Sequence, residues 1–343
     1  MSKPIAQGVR TILWRKGGEA LEGFPLEDVS EHLHEEGSLV WVDLLDPTPE
    51  ALDELADELS LDERAVADSV AFASRPKATR HATHTFVTAY ATRLEATVDP
   101  GRGVLESRLD LSRVSAFVLP NGVVTVRRDG GFDMGEVVAR WRERADLLEY
   151  GPGALLHGLL DVIVDGHFDS ISVLDDAMEA LEDELFDERV DAHDLQQRTY
   201  RLRKELVELR RVVLPMREVV NTVMRHRADT NGHDGHLTEL DGWYADLYDH
   251  VLRASEWTES LRDMVTTVFE TNLALQDARL NAVMKKLTGW AAIVAVPTAV
   301  TGWFGMNVAY PGIHRVSGFL ASTFVIVGLC VGLYVLFRRR NWI

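Results

Sequence analysis

Two uncharged stretches near the end of this chain constrain its fold more than anything else in it. Residues 287–308 read LTGWAAIVAVPTAVTGWFGMNV, and residues 316–337 read VSGFLASTFVIVGLCVGLYVLF. Each is long enough to cross about 30 Å of hydrocarbon as a helix, where every backbone polar group must be satisfied internally. Lys285 and Lys286 precede the first run, and Arg338, Arg339 and Arg340 follow the second. Two such runs around a short loop, with bases on their far sides, read as a membrane hairpin rather than as a pair of core helices. The positive-inside rule then puts both termini in the cytoplasm and the loop at 309–315 outside, in a multi-pass protein of the plasma membrane. Trp290, Trp303, Tyr310 and Trp342 suit interfacial anchors. Gly328 and Gly332 form a small-xxx-small pair on the second span.

Charge is split along the chain. The net charge is −18, yet no Asp or Glu follows Asp277. The first 277 residues hold 29 basic and 54 acidic groups, a net of −25, and the remainder carries +7. Such acidity excludes nucleic acid as a partner, because phosphate binding needs a basic surface. It suits the concentration of cations. The single cysteine, Cys330, lies inside an apolar run, so there is no disulfide framework and no cysteine zinc motif. The start, MSKPIAQGVRTILW, lacks a signal-peptide core. The bulk of the chain is therefore expected in the cytosol.

Residues 1–150 alternate strand and helix signals, and predict an α/β domain with five or more strands. SLVWVDLLDP is a short apolar run ending in a turn. TPEALDELADELSLDERAVADSVA has helical spacing, with Thr48 as N-cap and Pro49 at the first helical position. THTFVTAYATRLE, RLDLSRVSAFVLP and GVVTVRRD read as strands, the last two joined by the Asn121-Gly122 hairpin signal. Residues 151–236 read as a helical hairpin, acidic in its first arm and basic in the middle of its second. Residues 237–286 read as one stalk helix. Leu240, Tyr244, Leu247, Val251, Ala254, Thr258, Leu261, Val265, Val268 and Leu275 recur at three- and four-residue spacing, and no Pro or Gly interrupts from Trp243 to Thr288. The stalk runs directly into the first span, 287–308. The second span, 316–337, ends in the basic tail 338–343.

Two spans cannot enclose a water-filled path alone, but several copies around an axis can. One stripe of the stalk and first span has the chemistry of such a path. Asn281, Met284, Leu287, Ala291, Ala295, Thr298 and Gly302 share it, and traced backwards it meets Asp277, Ala274 and Glu270. Carboxylates at the inner mouth attract cations, while amide and hydroxyl oxygens replace or hold a hydration shell. Met284 and Leu287 are candidates for an apolar constriction that gates by dewetting. Pro297 frees the carbonyl of Ile293, which marks a bend, a pore-facing oxygen or a packing kink. Asn307 lies beyond the outer end of the stripe.

Gly305-Met306-Asn307 after a Pro297-Thr298 membrane helix, a short loop, a second span and the ending RRRNWI resembles the CorA-type divalent cation transporters. YADLYDHVLRASEWTESLRDMV and NAVMKKLT resemble that family's stalk, and WVDLLDPTPEALDELADELSLDERAVAD with RPK resembles its cytosolic start. The resemblance implies a homopentameric funnel: an α+β cytosolic domain, a long stalk helix and two C-terminal transmembrane helices in the lipid bilayer. It implies Mg²⁺ as cargo, with Co²⁺, and Mg²⁺ as regulator, with no organic cofactor and no enzymatic activity. A selectivity filter of Gly305, Met306 and Asn307 would hold the hydrated ion by its outer waters, which suits an ion that dehydrates reluctantly. The family's pore residues fall on Asn281, Met284, Leu287, Thr298 and Gly302. Its regulatory inter-subunit acid falls on Asp246, with Glu270 and Asp277 nearer the mouth. Asp99, Glu106 and Asp110 are candidates for the first-domain partner of Asp246.

The chain departs from the pattern in places. Phe304 stands where Tyr is usual, and the outer loop VAYPGIHRVSG has no carboxylate and carries Arg315. A zinc-transporting member of the same family is therefore an alternative. His226, His233 and His236 lie near one turn, but without the spacing of a closed zinc site. A membrane-anchored scaffold is a further alternative, and needs neither Asn307 nor the stripe. A tethered enzyme ranks last, because the chain has no nucleophile elbow, phosphate loop or dinucleotide loop, and His81 and His84 read as surface residues.

Overall fold

A computed structural model describes residues 8–15, 18–71, 74–99, 103–187, 189–230, 239–306 and 315–343. Side chains are described at these positions except 96–99, 103–107, 229 and 230. The chain divides into two units, Met1–Val268 and Phe269–Ile343.

The first unit is organised by strand β3 (Ser38–Leu45), whose side chains are buried on both faces. Leu39 and Trp41 enter one core, and Val40, Val42 and Leu44 enter the other. This is the period-two alternation of a central strand. β3 pairs antiparallel with β1 (Val9–Arg15) and parallel with β7 (Gly122–Arg127). The full sheet has seven strands in the order β2-β1-β3-β7-β6-β5-β4, with β2 (Leu21–Glu22), β4 (Lys77–Arg80), β5 (Thr85–Asp99) and β6 (Gly103–Leu119). The Asn121-Gly122 signal joins β6 to β7 as expected. A Cβ at Gly122 would clash with the Val40 carbonyl and Leu33, so only glycine lets β7 start this close to β3.

Helices cover both faces. α1 (Val29–His34), α2 (Pro49–Glu58) and α3 (Glu63–Val70) close one core. The expected single helix over 48–71 is thus two. Ser60 has a φ of 52°, and Asp62 caps α3 by accepting from Arg64 N–H at 3.0 Å and Ala65 N–H at 3.2 Å. Thr48 caps α2 as read, accepting from Ala51 N–H at 3.3 Å.

The other core is closed by α4 (Met134–Glu143), α5 (Pro152–Glu184), α7 (Met216–Thr230) and the start of α8 (Glu239–Phe304). α6 (Ala192–Val213) is separated from α7 at Leu214-Pro215, where the sequence pattern runs on without a break but proline removes the N–H a continuing helix needs. Between the layers, Arg127 donates to the Asp43 carboxylate from Nε at 3.1 Å, and Thr125 donates to the same carboxylate at 2.7 Å. Arg127 also donates to the Phe132 carbonyl at 2.8 Å. Removing either charge would leave the other buried and unanswered.

Within α8, Leu240, Tyr244, Leu247, Val251, Ala254, Thr258, Leu261, Val265 and Val268 are all buried, as their spacing predicts. Leu275 is only half-buried. In the second unit α8 continues through Pro297 to Phe304, and α9 (Val316–Arg339) is the second apolar helix. Both are long and apolar enough to cross a membrane.

Candidate ion path and Asp246 cleft

The first span has two unlike faces. Gly289 is buried, and Ala292, Ile293, Val296, Pro297, Val300 and Phe304 are half-buried. This face meets α9: Trp290 lies 6.4 Å from Tyr334 between ring centroids, and a Cβ on Gly289 would come within 3.1 Å of Ile343. At 100° per residue the polar stripe falls diametrically opposite. Asn281, Met284, Leu287, Ala291, Ala295, Thr298 and Gly302 are all exposed, Met284 at 56% and Leu287 at 64%. Glu270 and Asp277 are exposed as well. The stripe is therefore uncovered by the chain's own second helix.

Pro297 does not break α8. The carbonyl it releases, Ile293 O, points toward α9 and accepts from the Cys330 thiol at 3.6 Å. Of the three expectations for that oxygen, the pore-facing one is not met in this structure; the thiol answers it. One turn on, the Thr301 hydroxyl bonds back to Pro297 O at 2.7 Å. Among the described residues Thr298 makes no such side-chain bond, so its hydroxyl is left on the exposed stripe. Gly305 and Met306 end the helix, with Gly305 N–H donating to Thr301 O at 2.8 Å. Asn307 lies outside the described residues.

In the first unit, Asp246 is exposed on α8, with His250 3.8 Å away one turn on. Both line a cleft of about 160 Å³ with Asp161 and Asp165 of α5, Arg140 of α4 and Arg144 just after it. Arg140 bridges Asp161 and Asp165, the second at 2.8 Å. Arg144 stacks over Trp243 at 4.0 Å. Burial pushes His157 in this cleft below its usual pKa. Sequence spacing did not single out Asp161, Asp165, Arg140 or His250, because three elements bring them together. Among the described residues no group of three or more His, Cys, Asp or Glu is arranged to hold a metal ion. Within one chain the Asp246 cleft therefore balances its acids with arginines. Asp110 pairs with Arg108 at 3.1 Å, and the side chains of Asp99 and Glu106 lie outside those described.

The histidines differ from expectation. His84 is buried at 4% exposure and stacks on His81 with centroids 4.8 Å apart, so it is not a surface residue. The β4–β5 turn carries His84 inward against Phe117, while His81 stays half-buried. His226 is half-buried on α7, while His233 and His236 lie outside the described residues.

Residues 36–339 match the family model of the CorA-like Mg²⁺ transporter proteins. The chain belongs to the CorA family. The cobalt/magnesium transport protein CorA of Thermotoga maritima is 29% identical over 246 residues, 68% of this chain and 66% of that protein. The CorA of Methanocaldococcus jannaschii is 26% identical over 70% of this chain and 74% of its own. Its complete magnesium-transporter structure covers both chains fully with a TM-score of 0.70 at 21% identity. The cytoplasmic domain of ZntB from Vibrio parahaemolyticus covers 79% of this chain and 100% of its own, with a TM-score of 0.56 at 11% identity, a likeness of fold alone. As a CorA-family chain, this protein is a membrane transporter of divalent metal cations and not an enzyme.

Proposed function

We propose that this chain forms a homopentameric channel for Mg²⁺, with Co²⁺ as a second cargo, and that the membrane potential drives uptake. The observation that carries this reading is the face of the first span opposite α9. It is exposed from Asn281 to Gly302 and has an amide, a thioether, small side chains and an unbonded hydroxyl in line. Copies packed around an axis would turn this face inward, and lipid would meet α9. The lysines at 285–286 and arginines at 338–340 support a cytosolic position for both ends, with residues 1–150, 151–236 and 237–286 as domain, helical hairpin and stalk.

In this scheme Asn307, following Gly305 and Met306, is the ion's first contact and holds it through its waters. Thr298 and Asn281 offer further oxygens, and Met284 and Leu287 form the dry constriction. Glu270 and Asp277 gather cations at the inner mouth. Two charges falling through 100 mV gain about 4.6 kcal/mol, so no nucleotide hydrolysis is needed. Internal Mg²⁺ at Asp246 would close the funnel. Arg140 already engages Asp161 and Asp165 in the cleft, which supports a site completed by donors from a neighbouring copy. The zinc alternative draws on the carboxylate-free outer loop and Arg315.

Uptake into proteoliposomes containing a Mg²⁺-sensitive dye tests this. Mg²⁺, Co²⁺, Ni²⁺ and Zn²⁺ are compared for the wild type and Asn307→Ala, with and without an imposed potential. Potential-driven Mg²⁺ entry that the substitution abolishes is the expected result. Zn²⁺ entry without Mg²⁺ moves the protein to the zinc alternative. No flux from folded protein leaves a membrane-anchored scaffold.

A further inference from the structure

The ending RRRNWI holds two apolar side chains that the ion path leaves unused. α9 closes there in a Schellman turn. Asn341 takes a φ of 53°, the left-handed conformation that asparagine tolerates better than most side chains. Its N–H donates to Arg338 O at 3.3 Å, and the Trp342 N–H reaches back to Phe337 O at 2.9 Å. The Trp342 ring stacks on Phe337, with centroids 5.4 Å apart and planes 6° from parallel. Two hydrogen bonds and a ring stack therefore fix the direction in which the chain leaves α9.

That direction puts Ile343 on the first span. A Cβ at Gly289 would lie 3.1 Å from both Ile343 Cγ1 and Cδ1, and 3.6 Å from Phe337 Cδ2. Between Asn281 and Met306, Gly289 alone is buried, and every other residue is half-buried or exposed. Ile343 thus packs on bare helix backbone, at a position with no side chain of its own to fill the space. Gly289 lies two residues beyond Leu287, about 3 Å along the helix axis and about 200° around it. The isoleucine therefore sits behind the helix at the level of Leu287, on the side away from the exposed stripe.

We propose that Trp342 and Ile343 are positioning residues that brace the first span at Gly289 and so hold the Leu287 constriction closed. This rests on the reading of Leu287 as the constriction. Apolar side chains that meet around an axis press outward on the helices that carry them. Outward motion of α8 at this level drives Gly289 against Ile343, whose backbone is held by the turn and the ring stack. Without the isoleucine, the helix has only a void or a mobile acyl chain behind it. Loss of the brace then loosens the constriction without altering any residue that meets the ion.

Calcein-loaded proteoliposomes of the full-length protein test this, with Co²⁺ entry read by quenching at saturating internal Mg²⁺. Ile343→Gly, and deletion of Trp342 and Ile343, should each raise entry about fivefold, and Ile343→Leu should return it to the wild-type rate. A paired variant, Gly289→Cys with Ile343→Cys in a Cys330→Ser background, makes the brace reversible. The new sulfur at 343 replaces Cγ1, within disulfide reach of position 289. Reduced, this protein should leak; oxidised within one chain, it should be tight. A tail that only stabilised the fold would lower the melting temperature without making leak depend on the disulfide. Leu287→Ala is measured beside these variants. Leak from Leu287→Ala with none from the tail variants, or no crosslink within one chain, overturns the brace and leaves the constriction standing. No leak from Leu287→Ala rejects the constriction, and the brace with it.

Discussion

The two stretches of α8 carry the same kind of pattern with opposite outcomes. In the first unit, residues repeating every three or four positions from Leu240 to Val268 are buried almost completely. In the second, Asn281 to Gly302 repeat just as regularly and are exposed throughout. Helical periodicity thus marks a face that wants a partner, not one that has found it within its own chain. The start of the stalk stripe, from Leu240 to Val251, joins a core with α5, α7 and the sheet. The stripe in the span is turned away from α9, the one neighbour its own unit supplies.

The sharpest way to break this contrast is to make the same substitution in both stretches. Leu261→Ala should destabilise the protein by about 2–5 kcal/mol, because it opens a cavity in a packed core. Leu287→Ala should leave thermal stability nearly unchanged and instead raise ion leak, since it removes apolar bulk from an exposed stripe. Parallel melting and flux measurements distinguish the two. Equal destabilisation at both sites would mean that the contrast is wrong.

Acid should act on the first unit and not on the spans. His167 on α5 is buried, donates from Nε2 to the Tyr90 carbonyl at 2.8 Å, and is pushed by burial down to about 4. Its folded pKa lies below the unfolded value of about 6.5, so the unfolded chain binds the extra proton. The stability this group supports is full above that value and is lost as pH falls toward 4, by roughly 3 kcal/mol at most. No Asp or Glu follows Asp277, so the spans have no matching carboxylate response. Melts at pH 7 and pH 5 should differ, and His167→Asn should flatten the difference.

Smaller effects refine the faces of the span. Cys330→Ala leaves Ile293 O unanswered and should cost about 1 kcal/mol, while Cys330→Ser should restore or exceed wild-type stability. Thr298→Val should change stability by less than about 0.5 kcal/mol yet lower conductance, whereas the back-bonded Thr301→Val should do neither strongly. Reconstituted flux beside detergent melts reads both.

Much of this was legible in the sequence because it depends on period and chemistry together. Strands β3, β5, β6 and β7, the Asn121-Gly122 hairpin, the Thr48 cap, the buried stalk stripe and the two apolar helices follow from local pattern, whereas β1, β2 and β4 are not singled out by it. The break at Ser60 did not, because a positive φ at a serine leaves no periodic trace. The break at Pro215 was hidden by apolar residues that keep their spacing across it. The burial of His84 and the Arg140 bridge to Asp161 and Asp165 depend on segments far apart in sequence, which no window can bring together. Asn307, which the sequence makes most prominent, lies outside the described residues, so the role proposed for it rests on its motif.

The parallel pairing of β3 with β7 sets an order of assembly. Val40 must find Gly122, and Leu45 must find Arg127, across the whole of the β4–β6 region. The β5–β6 and β6–β7 partners are neighbours in sequence and can zip locally. Until that meander exists, β3 has one bare edge rich in valine and leucine, ready to pair with another chain. A growing polypeptide is therefore most prone to aggregate after β3 has been made and before β7 arrives, and Gly122 is the residue at which that window closes.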